Sequence, residues 1–542
     1  MKKIVFLIIA SLLVIGLVLP GCGEPAGPEI TIAIAGPMKY VQGTHMWSAA
    51  SMAADEINDA GGIAFGGTNY TLKLLKVDTN EIDNPAAAAP ALEHAITVKG
   101  AEYIIGGFRT EAVLTMLPVA GANEVPMMIC GAATYTLLSG PLPYWTLGGP
   151  MSGDGTPYYP YKPSSEDFKY IFRGVPFNDV FLVNNCFMML AMIAAGIQDE
   201  LGLAYPWTSG QVRIAIFSES LIWADVMTQT AQDVIGGPLG GYLGWTLANG
   251  GTHGDGTWRV TDTQDSVTVS SYLNQIKDPD STPGTNDGAH IIFTIISGPV
   301  GVTYGKLRGE LAIPCMSVGI NVEGQDPGYW AKTKYATGQY GAESEIGMGT
   351  WAPNVVQNVK TTPFLEAYAA YTGGLFPLYT ASSYDMVHTF AKAIKASAND
   401  ADAVVAWLEN PINAQLVSTG LSSYYPLWDG TTLGEWKTYF WPALNLTQIT
   451  AIYGGPSNYD ANCNFTMPAY TTHDLVYGPG YVTGLACQWQ SGQQIGVWPK
   501  AEFAAISNVI SRNVAGINWT DIEYAGTEMF VLPAWMVTIW EA

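Results

Sequence analysis

Glu29-Ile30-Thr31-Ile32-Ala33-Ile34-Ala35-Gly36-Pro37 is the stretch whose reading decides the fold of this chain. Isoleucines stand at alternate positions from Ile30 to Ile34, the period of a strand, and Gly36-Pro37 stops the run. Trp47, Ala50, Ala54 and Ile57 then fall three and four apart, which predicts a helix ended by Asp59-Ala60-Gly61-Gly62. Residues 70–78 read as a second strand. Asp83-Asn84-Pro85 caps an Ala-rich helix running to about Val98, and Tyr103 to Gly106 reads as a third strand. A helix begins at Thr110, and Val125 to Ile129 is a fourth strand leading into Cys130-Gly131-Ala132-Ala133-Thr134. Strands alternating with helices at this spacing require a parallel sheet covered on both faces, which makes the class α/β.

The pattern restarts at Val212 to Phe217 and continues through a helix carrying Trp223, Met227 and Val234. It recurs at Ile291 to Ile296 and at Ala312 to Val318, so two lobes are expected, consistent with 542 residues exceeding one typical core. Gly148 to Ser165 and Asn249 to Asp265 break the periodicity and read as surface insertions. Beyond Ser422 the chain is aromatic and loop-rich, with strand-like pieces at Gly484 to Trp489 and Ile495 to Trp498.

At the amino end, Lys2 and Lys3 precede an apolar run from Ile4 to Leu19, closed by Pro20-Gly21-Cys22, the layout of a signal peptide over residues 1–21. Leu19-Pro20-Gly21-Cys22 resembles a bacterial lipobox, which implies cleavage before Cys22, a lipid on its sulfur, and a tether over 22–28. With 46 acidic against 23 basic residues the chain carries a formal charge of −23, and loss of the leader lysines takes it to about −25. So acidic a chain lacks the clustered cations that nucleic acid or an anionic lipid surface demands, and no nucleic-acid partner is expected. Of the six cysteines, Cys130, Cys186 and Cys315 sit in apolar surroundings and read as core thiols, while Cys463 and Cys487 are candidates for a disulfide.

Catalytic constellations are missing: no Gly-x-Ser-x-Gly, His-Glu-x-x-His or Cys-x-x-Cys occurs, so no catalytic residue and no cofactor is assigned. Gly298 to Lys306 has the wrong glycine spacing for a phosphate loop and reads as a strand-to-helix turn. The histidines are scattered without ligand spacing, so no metal site is assigned. In parallel α/β sheets, ligands bind beyond the carboxyl ends of the strands, where helix N-termini offer unpaired N–H groups. That selects Gly107-Phe108-Arg109-Thr110-Glu111 and Ala132-Ala133-Thr134 as places for an anion. The alternative for Thr110 is a plain helix N-cap.

Several stretches in order carry a resemblance: Gly36-Pro37, Ala53 to Ile63 (Ala-Ala-Asp-Glu-Ile-Asn-Asp-Ala-Gly-Gly-Ile), Tyr103-Ile104-Ile105-Gly106, Ala132-Ala133-Thr134, Tyr170 to Arg173, Arg213 to Phe217, Ser383 to Met386, Gln488-Trp489-Gln490 and Trp498-Pro499. Together they resemble the branched-chain-amino-acid-type substrate-binding lipoproteins of ABC transporters, the Leu/Ile/Val-binding-protein group. The resemblance implies the type I periplasmic-binding-protein fold, two Rossmann-like lobes joined by three crossover strands, here with insertions and an aromatic C-terminal extension. On that pattern lobe 1 takes 29–175 and 350–450, lobe 2 takes 176–349 and 465–499, and 500–542 is the extension.

By the same resemblance Thr110, Ala132 and Thr134 hold a ligand carboxylate, Trp223 closes over the ligand, and Gln42 and Phe108 line the opening. Arg109 is an added cation. The acid that would hold an ammonium belongs near Gly319 to Asn321, where none stands; Asn321 and the displaced Glu323 are the candidates, with Ser297 in place of a tyrosine. The expectation is an extracytoplasmic protein, held on the membrane by its lipid, that captures a small solute (amino acid, amide, urea-like or carboxylic acid) for an ABC permease and its ATPase. The alternative is a ligand sensor or envelope docking protein on the same fold.

Overall fold

A computed structural model describes residues 27–138, 169–175, 178–203, 211–252, 254–278, 288–357, 360–409, 485–500, 502 and 524–541. The signal peptide, Cys22, the first expected insertion and Cys463 lie outside the described residues.

The opening stretch forms β1 (Glu29–Gly36), followed by α1 (Val41–Asp59), β2 (Ile63–Phe65), β3 (Thr68–Asp78), α2 (Ala88–Thr97), β4 (Tyr103–Gly106), α3 (Thr110–Ala122), β5 (Met127–Ile129) and β6 (Ile171–Arg173). They build a six-stranded sheet in the order β2-β3-β1-β4-β5-β6, parallel except at the β2–β3 hairpin. Ile30, Ile32 and Ile34 are fully buried, and so are Ala33 and Ala35 on the opposite face, as a sheet covered on both sides demands. The register levels the strand ends: Gly36 lies opposite Asp78, and Ala35 opposite Gly106. Within the Ala53–Ile63 motif, Asn58 locks α1 to β3, donating to Leu72 O at 2.9 Å and accepting from Leu72 N at 2.7 Å.

The second sheet runs through α4 (Asp179–Glu200), β7 (Val212–Glu219), α5 (Ile222–Ile235), β8 (Trp245–Leu247), β9 (Thr257–Val260), α6 (Ser266–Lys277), β10 (Ile291–Ile296), α7 (Val300–Glu310), β11 (Met316–Asn321) and β12 (Ile346–Gly349). The chain then returns to the first sheet with α8 (Thr361–Thr372), α9 (Ser383–Ser397) and α10 (Ala401–Glu409). Ser383 donates to Met46 O at 2.7 Å, and Tyr384 to Glu56 at 2.6 Å, so α9 is fixed along α1. Finally β13 (Leu485–Gln490) and β14 (Gln493–Trp498) add antiparallel to β12, giving the order β14-β13-β12-β11-β10-β7-β8 with β9 also paired to β7. The chain thus passes between the sheets after β6, after β12, and again between α10 and β13.

Three expectations change. The stretch Asn249 to Asp265 is not a loose insertion, because Thr257–Val260 forms β9 and Trp258 is wholly buried. Its alternation of β-branched and aromatic with polar residues was the overlooked signal. The strand expected from Ala312 starts at Met316, since Ala312 takes a left-handed φ of 46° and Pro314 cannot donate to a ladder. The C-terminal aromatics divide: in α11 (Ala534–Glu541) Trp540 donates to Pro314 O at 2.8 Å, whereas Trp535 and Ile539 face outward. Among the described residues no helix is long and apolar enough to cross a membrane.

Candidate functional site

Both parallel sheets end at one cleft. On the first side, β4 ends in Gly106-Gly107, where Gly107 adopts φ 83° and a Cβ would strike Val113 at 2.4 Å, so the backbone turns sharply into α3. Arg109, with extended backbone angles, is the N-cap, so Thr110 is the first helical residue and not the cap. The backbone N–H groups of Phe108 and Arg109 donate to Glu81 at 2.9 and 2.7 Å, and Thr79 donates to its other oxygen at 2.7 Å. Glu81 is completely buried, and desolvation raises its pKa against those three bonds.

The second side repeats the device. Glu219, the last residue of β7, accepts from Gly298 N at 2.6 Å and from the Ser297 hydroxyl at 2.7 Å, where β10 turns into α7. It too is fully buried with its pKa raised by desolvation. Arg109 reaches across to pair with Asp262, which follows β9. Glu111, the second residue of α3, accepts from Ile222 N at 2.8 Å at the start of α5, a carboxylate placed on the positive end of the opposite helix.

Between these contacts lies a cavity of about 30 Å³, room for a water or two. Phe108, Arg109, Thr110, Trp223 and Ser297 line it, joined by Tyr379, Leu182, Met348 and Gln325, which the sequence did not single out. The other candidates surround it. Thr134 is buried, and its hydroxyl bonds that of Thr110 at 2.6 Å; Ala132 donates its N–H to Gly107 O at 3.1 Å. Gln42 spans the cleft with long 3.4 Å contacts to Ser297 O and Glu323, leaving its own oxygen without a partner. Glu323 pairs with Lys332 at 3.6 Å. Asn321 turns away to Glu345, 2.8 Å from its amide, and Tyr329 donates to the same carboxylate at 2.8 Å.

Sequence reasoning missed Glu81, Glu219, Asp262 and Glu345. Glu81 and Glu219 each stand at or just past the end of a parallel strand, which is the signal that could have found them. Cys130, Cys186, Cys315 and Cys487 are free and buried, and burial pushes the Cys130, Cys315 and Cys487 thiols up to about 12, outside the reactive range. No group of metal-ligating side chains occurs among the described residues.

Residues 30–151 match a family model described as periplasmic binding protein. Over most of its length the chain superposes on the branched-chain amino acid transporter substrate binding protein LivJ from Streptococcus pneumoniae, solved with isoleucine. That match has TM-score 0.54 and 16% identity, and covers 87% of this chain and 100% of the other. The fold is that of a periplasmic binding protein. The same periplasmic-binding-protein fold is seen in the leucine binding protein LivK from Thermotoga maritima (TM-score 0.52, 15% identity, 86% and 98% covered). It is seen again in an ABC transporter solute binding protein from R. palustris, solved with 4-hydroxybenzoate (TM-score 0.53, 15% identity, 87% and 96% covered). No curated protein sequence matches the chain.

Proposed function

We propose that this chain is the extracytoplasmic solute-binding protein of an ABC importer, tethered to the membrane by a lipid on Cys22, that captures a small solute by closure of two lobes. The observation that carries the reading is one cavity lined from both sheets, with the sides bridged by the Arg109–Asp262 and Glu111–Ile222 contacts at helix starts and strand ends, and not by shared strands. Such contacts form and break as a hinge moves, whereas a shared sheet would not. The structural relatives support it, since two of those named above, LivJ and the R. palustris protein, are transport binding proteins solved with isoleucine and with 4-hydroxybenzoate. The protein performs no chemistry; it delivers its solute to a permease driven by an ATPase.

Thermal shift of the mature chain against amino acids, carboxylic acids, amides and urea-like solutes tests capture. At a hundredfold excess over Kd a ligand adds about 2.7 kcal/mol to stability, and silence across the whole panel refutes capture. Fractionation of a Cys22→Ser variant tests the tether: loss from the membrane fraction is expected, and retention refutes the lipid.

A docking role is favoured by one observation, the outward set of Met529, Val531, Trp535 and Ile539, each at least 40% exposed beside β13. Trp535→Glu with Ile539→Lys leaves Trp540 in place. Lost association with envelope components and unchanged solute binding would support docking.

A further inference from the structure

The pairing of donors and acids in the cleft narrows the class of solute, an inference that rests on the solute-capture reading above. Most of the groups best placed to hold a ligand carboxylate are already used by the protein. Phe108 and Arg109 N–H groups go to Glu81, Gly298 N–H goes to Glu219, Ala132 N–H goes to Gly107 O, and the Thr110 and Thr134 hydroxyls bond each other, a contact that uses one of their two protons. An entering anion would also join three carboxylates, Glu81, Glu219 and Asp262, grouped around the single guanidinium of Arg109. Burying a further uncompensated charge there is prohibitive.

An ammonium fares no better. Among the described residues that line the cavity none is Asp or Glu. The nearby acids are turned elsewhere, Glu323 to Gln42 and Lys332 and Glu345 to Asn321 and Tyr329.

Two donors remain. The indole N–H of Trp223 and the Nε–H of Arg109 are buried without partners, on lining residues only 7% and 5% exposed. A buried donor left unpaired is costly, so each calls for an acceptor atom. Phe108, Leu182, Ile320, Met348 and the ring of Tyr379 give the wall its apolar area, beside the polar Thr110, Ser297 and Gln325.

We infer that the cleft takes an uncharged, largely apolar solute bearing a carbonyl acceptor, a carboxamide, held by the Trp223 and Arg109 N–H groups, in preference to the carboxylate or α-amino acid of the same carbon skeleton. Calorimetric titration of the mature chain with isocaproamide, isocaproate and L-leucine, and with phenylacetamide, phenylacetate and L-phenylglycine, tests it. In at least one series the amide is expected to bind about tenfold or more tighter than the acid, and the amino acid weakest, the penalty for an uncompensated buried charge. Trp223→Phe, which keeps the ring and loses the N–H, is expected to weaken the amide about tenfold. The inference is overturned if in neither series the amide binds more tightly than its acid and its amino acid, and also by silence from all of these solutes. A hit elsewhere in the broad panel would then leave solute capture standing, and silence there as well would remove both.

Discussion

The two sides of the cleft solve one problem with unequal means. In each, a buried glutamate at or beyond a strand end accepts the backbone N–H groups that lead into the neighbouring helix. Glu81 takes two such N–H groups, Phe108 and Arg109, and has the guanidinium of Arg109 close by on its own side. Glu219 takes Gly298 N–H and the Ser297 hydroxyl, and the cation that offsets it is the same Arg109, from across the cleft. One side therefore carries its compensation within itself, while the other is complete only when the lobes meet. On the hinge reading proposed above, closure is expected to be coupled to charge balance.

The largest test of that contrast is removal of each acid. Glu81→Ala leaves two backbone donors and a hydroxyl unpaired and is expected to cost about 3–5 kcal/mol in chemical denaturation. Glu219→Ala removes a charge that is offset only from across the cleft and is expected to cost less, about 2 kcal/mol. Equal costs would remove the asymmetry. Arg109→Met takes away the shared cation; it is expected to weaken any captured solute about tenfold or more and to expand the particle in small-angle scattering. Unchanged dimensions and affinity would show that closure does not depend on the bridge.

The two sides also each bury a neutral histidine. His45 accepts from Tyr368 at 2.7 Å on the first, and His290 accepts from Arg213 N at 3.0 Å on the second. Burial pulls their pKa values down to about 4 and about 3. The unfolded chain binds protons at these groups from about pH 6.5 downward while the folded chain does not, so each is expected to cost about 2 kcal/mol by about pH 5. Glu81, Glu219 and Glu345 act in the opposite direction, because a raised folded pKa favours the fold as pH falls. Glutamine in place of either histidine should therefore flatten the acid limb of a melting-temperature profile, and an unaltered limb would assign it elsewhere.

The smallest effect lies at Thr110 and Thr134. Valine at either one strands the other hydroxyl and is expected to cost about 1–2 kcal/mol, whereas the double change returns most of that loss. Additive losses would mean that each hydroxyl has a partner of its own.

By itself the sequence determined the α/β class, the positions of β1, β4, β7 and β10 and the helices after the first three, because apolar period, glycine and proline act locally; Gly298 to Lys306, read as a turn, lies mostly in α7. It also pointed to the strand ends as the place for a ligand, through the geometry of helix N-termini, and so reached Phe108, Arg109 and Thr110, while Trp223 and Ser297 came from the family resemblance. Only the tertiary structure decided which donors there remain available. Glu81 stands 27 residues from Phe108, Glu219 stands 79 from Gly298, and Asp262 stands 153 from Arg109, so nothing local couples them. Hydrogen bonding is short-ranged in space and indifferent to distance along the chain. The identities of these groups were therefore legible in the sequence, and their pairing, with the charge it leaves in the cleft, was not.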